Sequence, residues 1–121
     1  MTEKEIAITF LQCAVTNEVN DVYDKYIAEG FIHHNPHYKS DKNSLLEGMV
    51  ESNRVHPNKK ITIKNVVAEL PYVVVFSHVL VTEGVEAALV HTFKFENGKV
   101  VELWDIAQPV PNDMVNEKGM F

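Results

Sequence analysis

The sequence has one cysteine, Cys13, and one arginine, Arg54, in 121 residues. A lone cysteine excludes an internal disulfide and fits a reducing compartment, so a cytoplasmic location is expected. Lysine and arginine number 11 against 17 aspartates and glutamates, a net charge of −6. Such a chain lacks the basic footprint that a phosphate backbone requires, and no nucleic-acid partner is expected. Long apolar runs are missing too. The longest central one, Val73–Phe76, falls far short of the roughly 20 residues of a membrane-spanning helix, so no membrane partner is expected either. Thr2-Glu3-Lys4-Glu5 puts acidic charge where a secretory signal is basic. Five glycines and five prolines are too few for a collagen-like or low-complexity chain.

What is present is the make-up of one globular domain spanning 1–121, with 45% hydrophobic and 23% charged residues. Helices are expected over about 2–53, a sheet over about 61–108 and a tail over 109–121. Thr2 and Glu5 form a capping-box pattern, followed by Ile6, Phe10, Cys13 and Ala14 at helical spacing. Asn20-Asp21 reads as a second N-cap, with Val22, Tyr23, Tyr26 and Ile27 as its apolar stripe and Gly30 as the stop. Phe31–Asp41 contains Pro36 and reads as a loop, and a third helix runs from about Asn43 to Asn53. After Pro57 the period changes to alternation in Ile61–Lys64. β-Branched and aromatic segments follow at Val66–Ala68, Tyr72–Thr82, Ala87–Phe95 and Lys99–Gln108, divided by Leu70-Pro71, Glu83-Gly84 and Asn97-Gly98. Helices first and a meander after predict an α+β fold, with helices on one face of a curved, mostly antiparallel sheet.

Register decides which side chains meet. A two-residue turn at Asn97-Gly98 sets Phe93 opposite Glu102 and His91 opposite Trp104. A type I turn with left-handed Gly98 instead pairs Phe93 with Val101, His91 with Leu103 and Leu89 with Asp105. Only the second arrangement separates apolar from polar side chains, and it is the expected one. A two-residue turn at Glu83-Gly84 sets Phe76, His78 and Leu80 opposite His91, Leu89 and Ala87. His78, His91 and Asp105 then share an otherwise apolar face.

In this register His91 and Asp105 are diagonal neighbours, about 7 Å apart at the backbone. A carboxylate and an imidazole in an apolar pocket can take a proton from carbon beside a carbonyl and return it elsewhere. They can equally well satisfy each other within a core. His33, His34 and His37 look like metal ligands, yet Pro36 keeps His33 and His37 from stacking on a helix and no carboxylate or cysteine arrives at ligand spacing, so no metal is expected. Asn35 is expected to cap the turn while His34 points to the mouth of the sheet. Trp104 falls on the polar face, needing cover from the tail or a second subunit.

His34-Asn35-Pro36, the Tyr72-Val73-Val74-Val75 entry to a strand with His78, the hairpin Phe93–Pro109 and the ending Gly119-Met120-Phe121 together resemble the SnoaL-like branch of the nuclear-transport-factor-2-like superfamily. The resemblance runs nearly full length. It implies a cone-shaped fold of three helices over a strongly bent sheet, an internal pocket and a homodimer through the outer sheet face. The branch is named for polyketide cyclases that close a ring by aldol condensation without a cofactor, using a pocket Asp and His; relatives isomerise, dehydrate or only bind small molecules. Asp105 and His34 match the branch by position. Leu103 stands where the branch usually has His, His91 where it usually has Asp, and Phe76 where His is common.

The expected function is thus that of a pocket protein for a small, apolar carbonyl compound, with no cofactor. Asp105 is the expected acid or base and His91 its partner, with His34 or His78 polarising the carbonyl. Phe76, Phe93, Leu103 and Tyr26 are expected to line the ligand site. The outer face, with Trp104, Val90 and Val100, is expected to form a homodimer. A binding or assembly module without chemistry, and a dimer whose pocket is filled by side chains, are the alternatives.

Overall fold

Thr2 opens the first helix: its hydroxyl oxygen accepts from the Glu5 backbone N–H at 3.2 Å. In the computed structural model, which describes residues 1–121, this helix is α1 (Glu3–Ala14). Then come α2 (Val19–Tyr26), β1 (Ile27–His33), α3 (Lys42–Val55), β2 (Lys60–Glu69), β3 (Tyr72–Thr82), β4 (Val85–Glu96) and β5 (Lys99–Pro109). The five strands form a mixed sheet in the order β1-β5-β4-β3-β2, giving an α+β architecture. No helix is long and apolar enough to cross a membrane.

Two expectations about the helical half are corrected. The N-cap of α2 is Glu18, without a side-chain bond, rather than Asn20-Asp21. The helix also stops well before Gly30, at Tyr26, because Ile27 turns extended (φ −99°, ψ 125°) and begins β1, a strand absent from the sequence reading. Ile27, Phe31 and His33 are each at most 3% exposed. They alternate inward along β1, which pairs in parallel with β5 through Ile32↔Glu102 and His33↔Leu103. A parallel partner seventy positions away leaves no local turn signal. The Asp41 side chain caps α3 by accepting from Ser44 N–H at 3.0 Å.

The two short segments expected after Pro57 are one strand, β2, with a register shift between Ile63 and Asn65. The strand alternation is otherwise as read, but both hairpin registers differ. At Asn97-Gly98 the two-residue turn does form, with Glu96 opposite Lys99 and Phe95 opposite Val100. A bulge at Val101 then shifts the ladder to Phe93↔Leu103 and His91↔Asp105. Leu89, His91, Phe93, Leu103 and Asp105 still share one face, but His91 and Asp105 are direct rather than diagonal neighbours. In the other hairpin an irregularity between Leu80 and Thr82 moves the pairs to His78↔Ala88 and Phe76↔Val90. An odd shift flips a strand's side chains. Phe76 and His78 therefore lie on the outer face, opposite to expectation.

The helices cover the inner face. Phe10 of α1 meets Phe93 edge-on with centroids 5.7 Å apart, and Tyr23 of α2 packs beside Phe10 at 6.2 Å. Tyr23 Oη donates to the Lys42 carbonyl at 2.5 Å, tying α2 to the start of α3. Val100 is fully buried in this core, not on the outer face where it was expected. The tail returns to the outer face, where Phe121 stacks on His78 at 4.0 Å and on Phe76 at 6.0 Å.

Candidate functional site

Between α1, α3 and the inner sheet face lies a cavity of about 250 Å³ with mainly apolar walls. Its polar groups are few: Asn35, Tyr38, Ser52, Lys59, His91 and Asp105. Gly48 makes room for one of them. A Cβ at that position on α3 would collide with the Tyr38 ring, which accounts for a glycine inside a helix.

The loop after β1 is built to present Asn35. His33, 2% exposed, accepts from the Asn35 backbone N–H on Nδ1 at 3.1 Å and donates from Nε2 to the Lys39 carbonyl at 2.5 Å. The Asn35 side-chain oxygen accepts from His37 N–H at 2.9 Å, the turn cap expected from sequence. That leaves the Asn35 amide Nδ2 to donate to Asp105 Oδ2 at 2.7 Å. A carboxylate only accepts, so the orientation of the Asn35 amide is fixed at both ends.

The other Asp105 oxygen, Oδ1, lies 3.2 Å from His91 Nε2. The two side chains are 15% and 8% exposed. Burial pushes the Asp105 carboxyl up, but the hydrogen bond and charge of His91, then the Asn35 amide, outweigh it and hold the group below the usual carboxylate range. Asp105 is therefore an anion with both oxygens engaged. On the far side of the imidazole, His91 Nδ1 is buried and has no partner. Buried ring nitrogens are normally satisfied, and leaving one bare costs about 1–3 kcal/mol.

Of the residues expected at the site, the fold brings Asp105, His91 and Leu103 to the cavity. Phe93 is fully buried behind it, in the core. Tyr26 borders a separate surface hollow on α2 with Lys25 and Cys13. His34 is exposed; it donates to or accepts from nothing in the cavity, but contacts Glu102 Oε2 at 2.7 Å and stacks on Trp104 at 5.1 Å. His34 thereby supplies the cover for Trp104 that was expected from the tail or a second subunit. His78 meets Glu86 Oε1 at 2.6 Å on the outer face, and Phe76 lies beside it under Phe121. No three His, Cys, Asp or Glu side chains converge as a metal-holding group.

Sequence reasoning missed Tyr38, Ser52 and Lys59, and placed Asn35 only as a turn cap. The first three sit on or beside α3, where no charge pairing or motif distinguishes them. Asn35 carried a signal, since a side chain that caps with its oxygen keeps two amide donors for another partner.

No family model matches the chain, and no curated protein matches it in sequence. Solved structures do resemble it. A protein of Novosphingobium aromaticivorans, described as an uncharacterised cystatin-fold protein, superposes with a TM-score of 0.72 at 21% identity, over 88% of this chain and 98% of that one. An NTF2-like protein of unknown function from Cytophaga hutchinsonii gives 0.72 at 15% identity, over 89% and 91%. A candidate SnoaL-like polyketide cyclase from Jannaschia gives 0.71 at 16% identity, over 89% and 90%. Identities this low speak to fold alone. The fold is that of the NTF2-like and SnoaL-like proteins, as the hairpin and ending resemble.

Proposed function

We propose that the chain is a small-molecule pocket protein performing cofactor-free acid/base chemistry on a small, largely apolar carbonyl compound. His91 carries the proton and Asp105 positions it. One observation supports this most: His91 lines the cavity with its Nδ1 buried and without a partner, while its Nε2 lies 3.2 Å from the carboxylate of Asp105. In the tautomer that carries its proton on Nε2, beside the Asp105 carboxylate, the neutral ring keeps Nδ1 as the base. That reverses the expected roles, because a carboxylate held low and bonded twice is a weak base.

In the proposed step, Nδ1 takes a proton from carbon beside the ligand carbonyl, and the C–H electron pair moves into the enolate. The imidazolium then rests against Asp105 and returns the proton, to the same carbon, to another, or to an alkoxide formed when the enolate carbon attacks a second carbonyl. Tyr38, whose hydroxyl belongs to a cavity-lining side chain, replaces His34 and His78 as the group for polarising the carbonyl oxygen. The cavity is smaller than the roughly 300–1,000 Å³ typical of drug-sized ligands, which limits the substrate to a small molecule.

The test is α-hydrogen exchange of 2-hexanone in deuterated water, followed by NMR. The protein should accelerate exchange, and His91→Gln should slow it by roughly 100-fold or more. Equal rates with and without protein overturn the reading. A binding module without chemistry is favoured by one feature, the apolar Leu103, 2% exposed, where the branch usually has His. Native mass spectrometry showing a retained, unaltered molecule supports that alternative. The lone Cys13 supports a cytoplasmic setting. The outer face, with Val74, Val90 and Ile106 exposed at 37%, 39% and 65%, supports a homodimer. Light scattering at the 13.7 kDa monomer mass would remove it.

A further inference from the structure

The cavity is lined by one lysine, Lys59, and no carboxylate pairs with it. Lys59 lines the wall just before β2, and its ammonium donates to Ser52 Oγ at 2.7 Å. An ammonium has three donors. None of the ion pairs in the structure involves Lys59. A half-buried cation without a counter-charge is costly unless something else supplies one. In a chain of net charge −6, with 17 acidic side chains available, none pairs with Lys59; the cavity's own carboxylate, Asp105, lies against His91 instead.

Its position relative to the acid/base pair is informative. Asp105 lies on β5 and His91 on β4, whereas Lys59 enters β2, the edge strand beyond β3. From His91 on β4 to β2 is two strand spacings, roughly 10 Å across the sheet. The wall that β2, β3 and β4 contribute is apolar: Ile61, Val79, Ala87 and Leu89. The cavity thus carries Lys59 by the β2 edge, apolar side chains in the middle and the His91 imidazole on β4.

We propose that Lys59 docks a carboxylate of the ligand, so that the site takes small monocarboxylic acids whose apolar body carries a carbonyl group to His91. The proposal rests on the acid/base reading for the carbonyl end and adds the class of molecule that fits the other end. A single cation with one hydroxyl neighbour matches one negative charge, whereas a phosphate dianion would leave a second charge buried and unpaired. Burial lowers the pKa of Lys59, and a bound carboxylate would raise it again.

The experiment compares hexanoate with hexanamide, equal in shape and different in charge, by amide chemical-shift titration. Wild type should bind hexanoate roughly tenfold more tightly, the worth of a charge-assisted hydrogen bond. Lys59→Met should reduce that ratio to near one, and Lys59→Arg should restore the preference; the amide spectrum of each variant reports whether it is folded. Equal affinities in the wild type, a ratio that survives in Lys59→Met, or no binding of either probe overturns the assignment. Exchange of 2-hexanone, which has no carboxylate, is scored in parallel on the wild type. Its loss counts against the acid/base reading and not against Lys59, so the two failures are distinguishable.

Discussion

β4 touches two histidine–carboxylate pairs, one on each face of the sheet, and they differ in the opposite sense from what contact distance alone would imply. On the outer face His78 and Glu86 meet at 2.6 Å, with 28% and 38% of their side chains exposed. On the inner face His91 and Asp105 stand 3.2 Å apart, with 8% and 15% exposed. The shorter contact is the less consequential one, because water and salt screen an exposed pair to about 0–1 kcal/mol. The longer pair is shielded, borders a cavity and leaves Nδ1 of its histidine bare. Burial and an unsatisfied atom mark a working site better than a short distance does.

The largest effect that would test this contrast is Asp105→Asn. Without the anion, Nε2–H of His91 is no longer favoured, and 2-hexanone exchange should fall by roughly 100-fold or more. The same substitution has a signature in pH. The Asp105 pKa is lower in the fold than in the unfolded chain, where it is about 3.9. The folded state thus favours the anion, and this stabilisation is complete above the unfolded value and lost as pH falls through the folded one. Urea unfolding should show wild type losing stability over that acidic window more steeply than Asp105→Asn. Parallel slopes would mean that Asp105 is not held by His91 and Asn35.

A middle-sized effect is expected from Asn35→Ala, which removes both the Asp105 contact and the cap on His37. It should destabilise by about 1–3 kcal/mol in urea unfolding. The smallest belongs to the outer pair. His78→Ala should cost less than about 1 kcal/mol beyond the lost Phe121 stacking and leave 2-hexanone exchange unchanged. A tenfold fall in exchange on removing His78 would erase the distinction between the faces.

How much of the site was legible follows from where each residue gets its neighbours. His91 and Asp105 could be matched on sequence because a period-2 strand restricts the face, and the expected register and the observed one differ by two residues, which keeps the same side chains inward. Phe76 and His78 could not, since a single irregularity between Leu80 and Thr82 turned them outward and no residue there announces it. Lys59 was invisible for another reason. One lysine among the chain's 11 basic residues becomes distinctive only when a cavity forms around it.

The sequence by itself determined the three helices, the strand-rich second half, the positions of the turns and the inward set on β4 and β5. These depend on local periodicity, capping and turn residues within a few positions of one another. Tertiary structure decided the rest: β1 as a parallel partner of β5, the bulge at Val101 that sets His91 directly opposite Asp105, the outward turn of His78, and the place of Lys59 in the cavity. Each is a long-range pairing or a one-residue slip, fixed by what packs best over the whole sheet and not by the residues nearby.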